Sequence, residues 1–436
     1  MHALLPGALC VSIWTNIGKK WCWLRNDHMK CRHCQSALVL PLIDLGRAPP
    51  SNAYRTAQNL HEPETCFPLR VLVCERCWLV QTEDFARASD LFDAEYAYFS
   101  SFSTSWLAHC EHYVQGMIRR FSLDQTSHVV EVAANDGYLL DFVKARGIPC
   151  TGVEPTASTA AAARAKGLDI VEAFFGVGLA RELAAGRGRA DLTVANNVLA
   201  HVPDINDFVA GFATLLKPQG VATFEFPHLL RMIAENQFDT IYHEHFSYLS
   251  LTAARQIFAA NGLTVFDVEE LSTHGGSLRV FAQRNDTGCQ PIRDAVSLML
   301  KQEDEAGVRS AAYYAKFQSR AESVKDHFLE FLIDAKHAGK TVAAYGAAAK
   351  GNTLLNFAGI HADLIGYVVD KNPAKQGKFM PGSRIPILSP VALREQRPDY
   401  LVILPWNLSA EVKQQNSWLA KSGTRFVTAV PRLEIA

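Results

Sequence analysis

The chain has 436 residues, room for roughly two to four domains, and an ordinary globular make-up of 48% apolar and 20% charged residues. A net charge of −1 gives no basic footprint for nucleic acid, and no run approaches the ~20 apolar residues that span a bilayer. The ten cysteines form two C-x-x-C pairs and scattered singles, a pattern of metal-bound thiolates in a reducing cytosol rather than secreted disulfides.

In chain order, residues 1–28 hold Trp14, Trp21, Trp23, the pair Lys19-Lys20 and the isolated Cys10 and Cys22. The lysines follow the apolar stretch instead of preceding it, so a signal peptide is not indicated. Met29 directly precedes the first motif, and residues 1–28 are read as an upstream extension outside the fold. Residues 29–90 follow, rich in turns such as Ala48-Pro49-Pro50 and with little periodicity. Here Cys31-x-x-Cys34 and Cys74-x-x-Cys77 stand 39 residues apart. Two such knuckles supply four thiolates to one tetrahedral zinc, with a loop inserted between them. With every position filled by protein, the expected site is structural.

Residues 91–295 alternate strand-like and helix-like segments. His128–Ala134 is a continuous apolar run, the mark of a buried parallel strand. Asn135-Asp136-Gly137 breaks it before a helix from Tyr138 to Ala145. Strands are expected at Thr151–Val153, Asp169–Val171, Asp191–Ala195 and Val221–Phe226, with helices at Ala157–Ala165 and Asn206–Leu216. A helix near 252–261 precedes two strands, 263–269 and 277–283, too close together to enclose a crossover helix. They should pair antiparallel and finish an otherwise parallel, doubly wound α/β sheet. A Rossmann dinucleotide domain lacks such a hairpin; a class I methyltransferase has one.

The first strand and its turn place Glu131 inside the sheet and Ala133, Asn135, Asp136 and Gly137 at its end. Glu154, followed by Pro155, closes the second strand, where a carboxylate can accept ribose hydroxyls at the carboxyl edge of an open sheet. The loop lacks the triple glycine that cradles a pyrophosphate. S-adenosylmethionine has no phosphate, so the pattern favours that methyl donor over NAD. Asn196 and Asn197, ending the fourth strand, are candidates for its methionine end.

Tyr242-His243-Glu244-His245 is the densest acid/base cluster. It is not H-E-x-x-H, which excludes the zincin reading. His201, after the fourth strand, is a second candidate. His274-Gly275-Gly276-Ser277, with Arg279, is read either as a nest of N–H groups for a diphosphate or as an ordinary glycine turn. Residues 296–436 begin with a long helical stretch to about 338. Thr341–Tyr345, the turn Gly346–Gly351 and a strand ending at Asp370 then make a βαβ unit. It reads as a degenerate Rossmann domain closing over a sugar nucleotide, with Lys350 as a phosphate contact, or as a second cofactor domain.

Taken in order, the C-x-x-C pairs, E-Y-x-Y-x-S-S, V-E-V-A-A-N-D-G-Y-L-L, G-V-E-P, N-N-V-L-A-H-V-P-D, I-Y-H-E-H-F-S-Y, H-G-G-S-L-R-V and Y-G-A-A-A-K-G-N-T-L-L-N resemble the three-domain sugar C-methyltransferases of deoxysugar pathways. The resemblance covers residues 29–436. It implies methylation at C3′ of a nucleoside-diphosphate-linked 4-keto sugar. It also implies His245 as the base, with Tyr242, Glu244, His201 and Tyr96 lining the sugar site; Tyr98 stands in if the register slips. At Val132-Ala133-Ala134 the chain departs from relatives, which often carry glycine and serine there.

A proton next to a ketone is acidic because an enolate forms, and a neutral imidazole suits its removal. The expectation is a cytoplasmic, monomeric enzyme using S-adenosylmethionine and structural zinc on a small nucleotide-sugar, without nucleic-acid or membrane partners. An O- or N-methyltransferase, a zinc-knuckle RNA methyltransferase and a non-catalytic sugar-nucleotide binder remain the alternatives.

Overall fold

The computed structural model describes residues 29–85, 101 and 103–436. Three sheets organise them. The first is antiparallel, in the order β1 (Leu40–Ala48), β2 (Phe67–Val73), β3 (Val80–Thr82) and β9 (Ser247–Tyr248). Its last strand comes from far along the chain, directly after the Tyr242–His245 cluster. The zinc domain is therefore sealed by the segment that follows the candidate reaction centre.

The second sheet has seven strands. They are β4 (Val129–Val132), β5 (Cys150–Val153), β6 (Asp169–Val171), β7 (Ala190–Asn196), β8 (Leu216–Pro227), β10 (Leu263–Leu271) and β11 (Ser277–Arg284), in the spatial order β10-β11-β8-β7-β4-β5-β6. All neighbours are parallel except β11, which runs antiparallel between β8 and β10. The doubly wound sheet with an antiparallel closing hairpin is thus what the sequence pattern predicted. β4 and β7 are buried on both faces, which explains their unbroken apolar runs. Thr104–Phe121, a helix capped by Ser103, packs beneath the sheet through Tyr113, Val114 and Met117. At the far end, Glu303 of helix Asp294–Ala306 accepts from the Leu251 and Thr252 N–H groups (2.6 and 2.7 Å) and from His228 (2.7 Å). It thereby caps helix Leu251–Ala260 from below the core.

The third sheet is Rossmann-like, in the order β14 (Ile387–Leu388), β13 (Val368–Val369), β12 (Val342–Tyr345), β15 (Tyr400–Ile403), β16 (Arg425–Thr428), β17 (Glu434–Ile435). Helix Phe317–His337 leads into it, and one apolar core joins this helix, β1–β3 and β12. No helix among the described residues is long and apolar enough to cross a membrane.

Candidate active site

The four knuckle thiols come together: Cys31 and Cys77 lie 3.5 Å apart, as do Cys34 and Cys74, and all four sulfurs fall within 4.8 Å of one another. Zn–S bonds of about 2.3 Å in a tetrahedron put sulfurs roughly 3.8 Å apart, so the cluster is sized for zinc. Gln81 donates to the Cys31 sulfur at 3.3 Å, a contact suited to a thiolate. Four protein ligands leave no open position for chemistry, and the zinc is structural.

A cavity of about 360 Å³ opens at the carboxyl ends of β4, β5 and β7, the general ligand position in open α/β sheets. Ala133, Asn135, Glu154, Pro155, Asn196, Asn197 and His201 line it. Local backbone strain shapes its floor: Ala133, Asn135 and Asn197 all hold left-handed φ of +50 to +59°. Asparagine tolerates that region, whereas alanine does so at a cost. Glu154 braces the loop, accepting from the Asn135 N–H (2.9 Å), the Thr156 N–H and the Thr159 hydroxyl (both 3.0 Å). Of its roughly four lone-pair sites about one remains for a ligand, where the sequence reading assigned it both ribose hydroxyls.

The remaining cofactor candidates sit behind this wall. Glu131 is fully buried in β4. Burial drives its carboxyl well above the usual range, with Tyr138 opposing and Glu154 and Asp136 adding like charge. Asp136 accepts from the Ser101 hydroxyl and lies 3.9 Å from the Lys166 ammonium. Gly137 has φ +77°, and a β-carbon there would meet Leu168 at 2.2 Å. The left-handed φ and this close contact both call for glycine at the position. Sequence reasoning missed the aromatic walls, Trp106, Phe174 and Phe175. Phe174 is 59% exposed at the rim, and the Phe174-Phe175 pair just after a strand was the available signal. Both amide atoms of Asn196 and the Asn197 Oδ1 are buried without a partner among the described residues. Aromatic walls, one carboxylate and unpaired amides fit an adenosine with an amino-acid tail.

Beside the cavity, Tyr242–His245 form a turn closed by the His245 N–H on the Tyr242 carbonyl (2.9 Å). A turn brings its first and fourth residues together. The two rings lie 3.9 Å apart, and Tyr242 Oη meets His245 Nε2 at 2.7 Å. His245 Nδ1 faces the Thr240 carbonyl at 2.8 Å, which assigns the proton to Nδ1 and leaves Nε2 as acceptor. The middle residues point elsewhere. His243 donates to the Pro68 carbonyl (3.2 Å), and Glu244 accepts from Asn52 (3.1 Å), both in the zinc domain. His201 lies 4.6 Å ring to ring from His245, its Nδ1 on the Glu244 carbonyl at 2.8 Å. In that tautomer the His201 proton sits on Nδ1 and Nε2 is an acceptor. Burial lowers both histidines, His201 to about 4 and His245 well below 6.5, with His201 a further like-charge influence on His245.

The residues read as diphosphate candidates make contacts of their own within the protein. Arg279 is buried and pairs with Glu225 (2.9 Å) and Glu269 (3.1 Å). The Gly276 N–H closes onto the Thr273 carbonyl (2.9 Å), and Ser277 donates to that same oxygen (3.0 Å). Gly275 lies where a β-carbon would strike Trp406 at 2.4 Å. Lys350 donates to Asn407 (2.8 Å) over the Trp406 ring, and its charge adds to the lowering of His245. Tyr96 and Tyr98 lie outside the described residues.

Sheet order, hairpin and cavity together define a class I methyltransferase dependent on S-adenosylmethionine. Three family profiles match in succession: a zinc binding domain (residues 31–92), a methyltransferase domain (106–268) and a C-methyltransferase C-terminal domain (272–431). The C-methyltransferase NovU of Streptomyces niveus is 35% identical over 402 residues, 92% of this chain and 95% of that one. The chain belongs to this three-domain C-methyltransferase family. Solved structures with partial likeness include magnesium protoporphyrin IX methyltransferase from Synechocystis (16% identity, 41% of this chain and 79% of that chain, TM-score 0.31). Another is an S-adenosylmethionine dependent methyltransferase from Mesorhizobium loti (16% identity, 41% and 100%, TM-score 0.33). Such likeness adds nothing to the sheet order already described.

Proposed function

We propose that this enzyme deprotonates the carbon next to the ketone of a nucleoside-diphosphate 4-keto-deoxysugar, at C3′, and methylates the resulting enolate. It would act in the cytoplasm as a monomer, with residues 29–90 holding zinc, 91–295 carrying the chemistry and 296–436 closing over the nucleotide-sugar. The observation that carries the reading is the Tyr242–His245 contact, 2.7 Å, on a histidine whose other nitrogen is pinned at 2.8 Å. A carbon acceptor has no lone pair of its own, so its methylation requires a base to take the proton first.

In this reading Ala133, Asn135, Glu154, Pro155, Asn196 and Asn197 hold S-adenosylmethionine, which supplies an electrophilic methyl group when bound. His245 Nε2 takes the proton from carbon. The Thr240 carbonyl fixes its tautomer and stabilises the imidazolium that forms. Tyr242, freed from Nε2 as substrate enters, donates to the enolate oxygen, a contact of about 3 kcal/mol in the transition state. The buried Glu244, held by Asn52, anchors the turn from the zinc-domain side. Because burial lowers His245, it stays neutral at ordinary pH, and activity should hold on acidification until well below pH 6.5.

Incubating keto sugars in D2O without methyl donor tests this. The wild type should exchange the C3′ proton. His245→Ala should lose exchange and about 10²–10⁴ in turnover while still binding the methyl donor by calorimetry. Methylation of oxygen or nitrogen without carbon exchange would sink the proposal.

A further inference from the structure

Neither candidate histidine is held by its own domain alone. The segment carrying His201 and the turn carrying His245 are 44 residues apart, yet Arg32 of the first zinc knuckle reaches both, the first directly at the Pro203 carbonyl and the second through Thr82 of β3. Arg32, between Cys31 and Cys34, has a side chain only 6% exposed. Its Nη1 donates to the Pro203 carbonyl at 3.2 Å, two residues past His201. Its Nη2 donates to the Thr82 carbonyl (3.0 Å) and to Asp84 (2.8 Å). Thr82 in turn donates its hydroxyl to the His245 carbonyl (3.1 Å) and its N–H to the Phe246 carbonyl (3.2 Å). The guanidinium carbon also stands 5.2 Å from the centre of the Phe246 ring. Next to it, His33 and Asn206 are joined at 2.8 Å, fixing the helix start just beyond Pro203.

We propose that Arg32 is a positioning residue that sets the separation and tilt of His201 and His245, making the zinc knuckle a jig for the base. The proposal rests on His245 being that base. A planar fork bonding two carbonyls and a carboxylate holds three segments in one geometry, which a lysine's single ammonium does less well. Bound zinc would hold Cys31 and Cys34, which flank Arg32 and His33, and the Arg32 side chain would carry that constraint to the two histidine segments. Displacing a catalytic group by about 1 Å costs up to ~10²-fold in rate.

The test uses the zinc-loaded full-length enzyme with Arg32→Met, Arg32→Lys, His245→Ala and the double variant Arg32→Met/His245→Ala. Zinc content, methyl-donor Kd, kcat and C3′ proton exchange are read for each. Arg32→Met should keep its zinc and a donor Kd within about twofold, and lose tenfold or more in both kcat and exchange. Arg32→Lys should recover part of that loss. On the His245→Ala background, Arg32→Met should change the residual rate less than about twofold, because both act through one group. Wild-type turnover in Arg32→Met, a loss that follows zinc or donor binding, or full multiplication onto His245→Ala would each overturn the proposal. Normal turnover in His245→Ala would instead bring down the base assignment itself, and this inference with it.

Discussion

Two Rossmann-like sheets sit in this molecule, each with a turn after its first strand and an acid after its second. The local devices match closely. Glu154 accepts from the Asn135 N–H at 2.9 Å in the central sheet; Asp370 accepts from the Ala347 N–H at 2.7 Å in the C-terminal one. What lies above the two turns differs. Over the first is an open cavity of about 360 Å³. Over the second the crevice is filled: β-carbons at Gly346 and Gly351 would strike Pro405 at 2.6 Å and Leu404 at 2.9 Å. The Ala347 carbonyl also takes Tyr54 (2.6 Å) and Lys375 (2.8 Å).

The difference teaches that a turn and an acid at this spacing first satisfy the loop's own N–H groups. Whether a ligand enters depends on what the neighbouring strand and the partner domain place above them. In the C-terminal sheet that space belongs to an interface. Tyr54 comes from the zinc domain, Asn352 donates to the Ser51 carbonyl, and Thr353 donates to the Ile241 carbonyl, next to Tyr242 (2.5 and 2.7 Å). The turn of the second sheet is thus packed against the zinc domain and the segment just before the candidate reaction centre.

Paired substitutions at the two acids give the largest expected contrast. Glu154→Ala strands the Asn135 and Thr156 N–H groups, while the Thr159 hydroxyl keeps the Thr156 carbonyl, so it should cost several kcal/mol and weaken methyl-donor binding tenfold or more. Asp370→Ala removes the acceptor for the Ala347 and Asn372 N–H groups. It should cost roughly 2–3 kcal/mol with donor Kd unchanged. Denaturant melts and calorimetry on both variants read this; equal effects on donor affinity would erase the distinction between the sheets. Next in size is Gly346→Ala, which adds a β-carbon against Pro405 at φ +89°. Strain and overpacking together should destabilise by about 2 kcal/mol, again without moving donor affinity.

Much of the central sheet could be read from sequence because its strands are buried on both faces and therefore continuous in apolar residues. The start of β8 could not. Lys217-Pro218-Gln219-Gly220 looks like a turn, yet the strand runs from Leu216. The zinc-domain sheet was hidden for a related reason. β1 is bulged at two places and β9 has two residues, so neither shows a period. Of the candidate reaction centre, the cluster Tyr242–His245 was visible as composition, but its pairing was not. Only the turn decides that Tyr242 meets His245 while His243 and Glu244 face the zinc domain. Arg279 shows the limit most clearly. A lone arginine beside a glycine turn suggests an anion site, and only the fold brings Glu225, 54 residues away, against it.

The smallest expected effect lies at the turn of the open site. Ala133 holds φ +59°, a conformation that costs an L-residue with a β-carbon about 1–2 kcal/mol. Ala133→Gly removes that cost but adds back chain entropy of roughly 0.5–1 kcal/mol in the unfolded state. The balance should be a gain of about 0.5 kcal/mol, seen as a small rise in Tm. Donor affinity should stay within about threefold, because Glu154 braces the loop through the Asn135 N–H and not through Ala133. The sign is opposite to that of Gly346→Ala, since the open turn has room and a strained alanine where the filled turn has neither. A fall in Tm on Ala133→Gly would mean that the alanine methyl packs usefully against the cavity floor, and that strain at this position is not what separates the two turns.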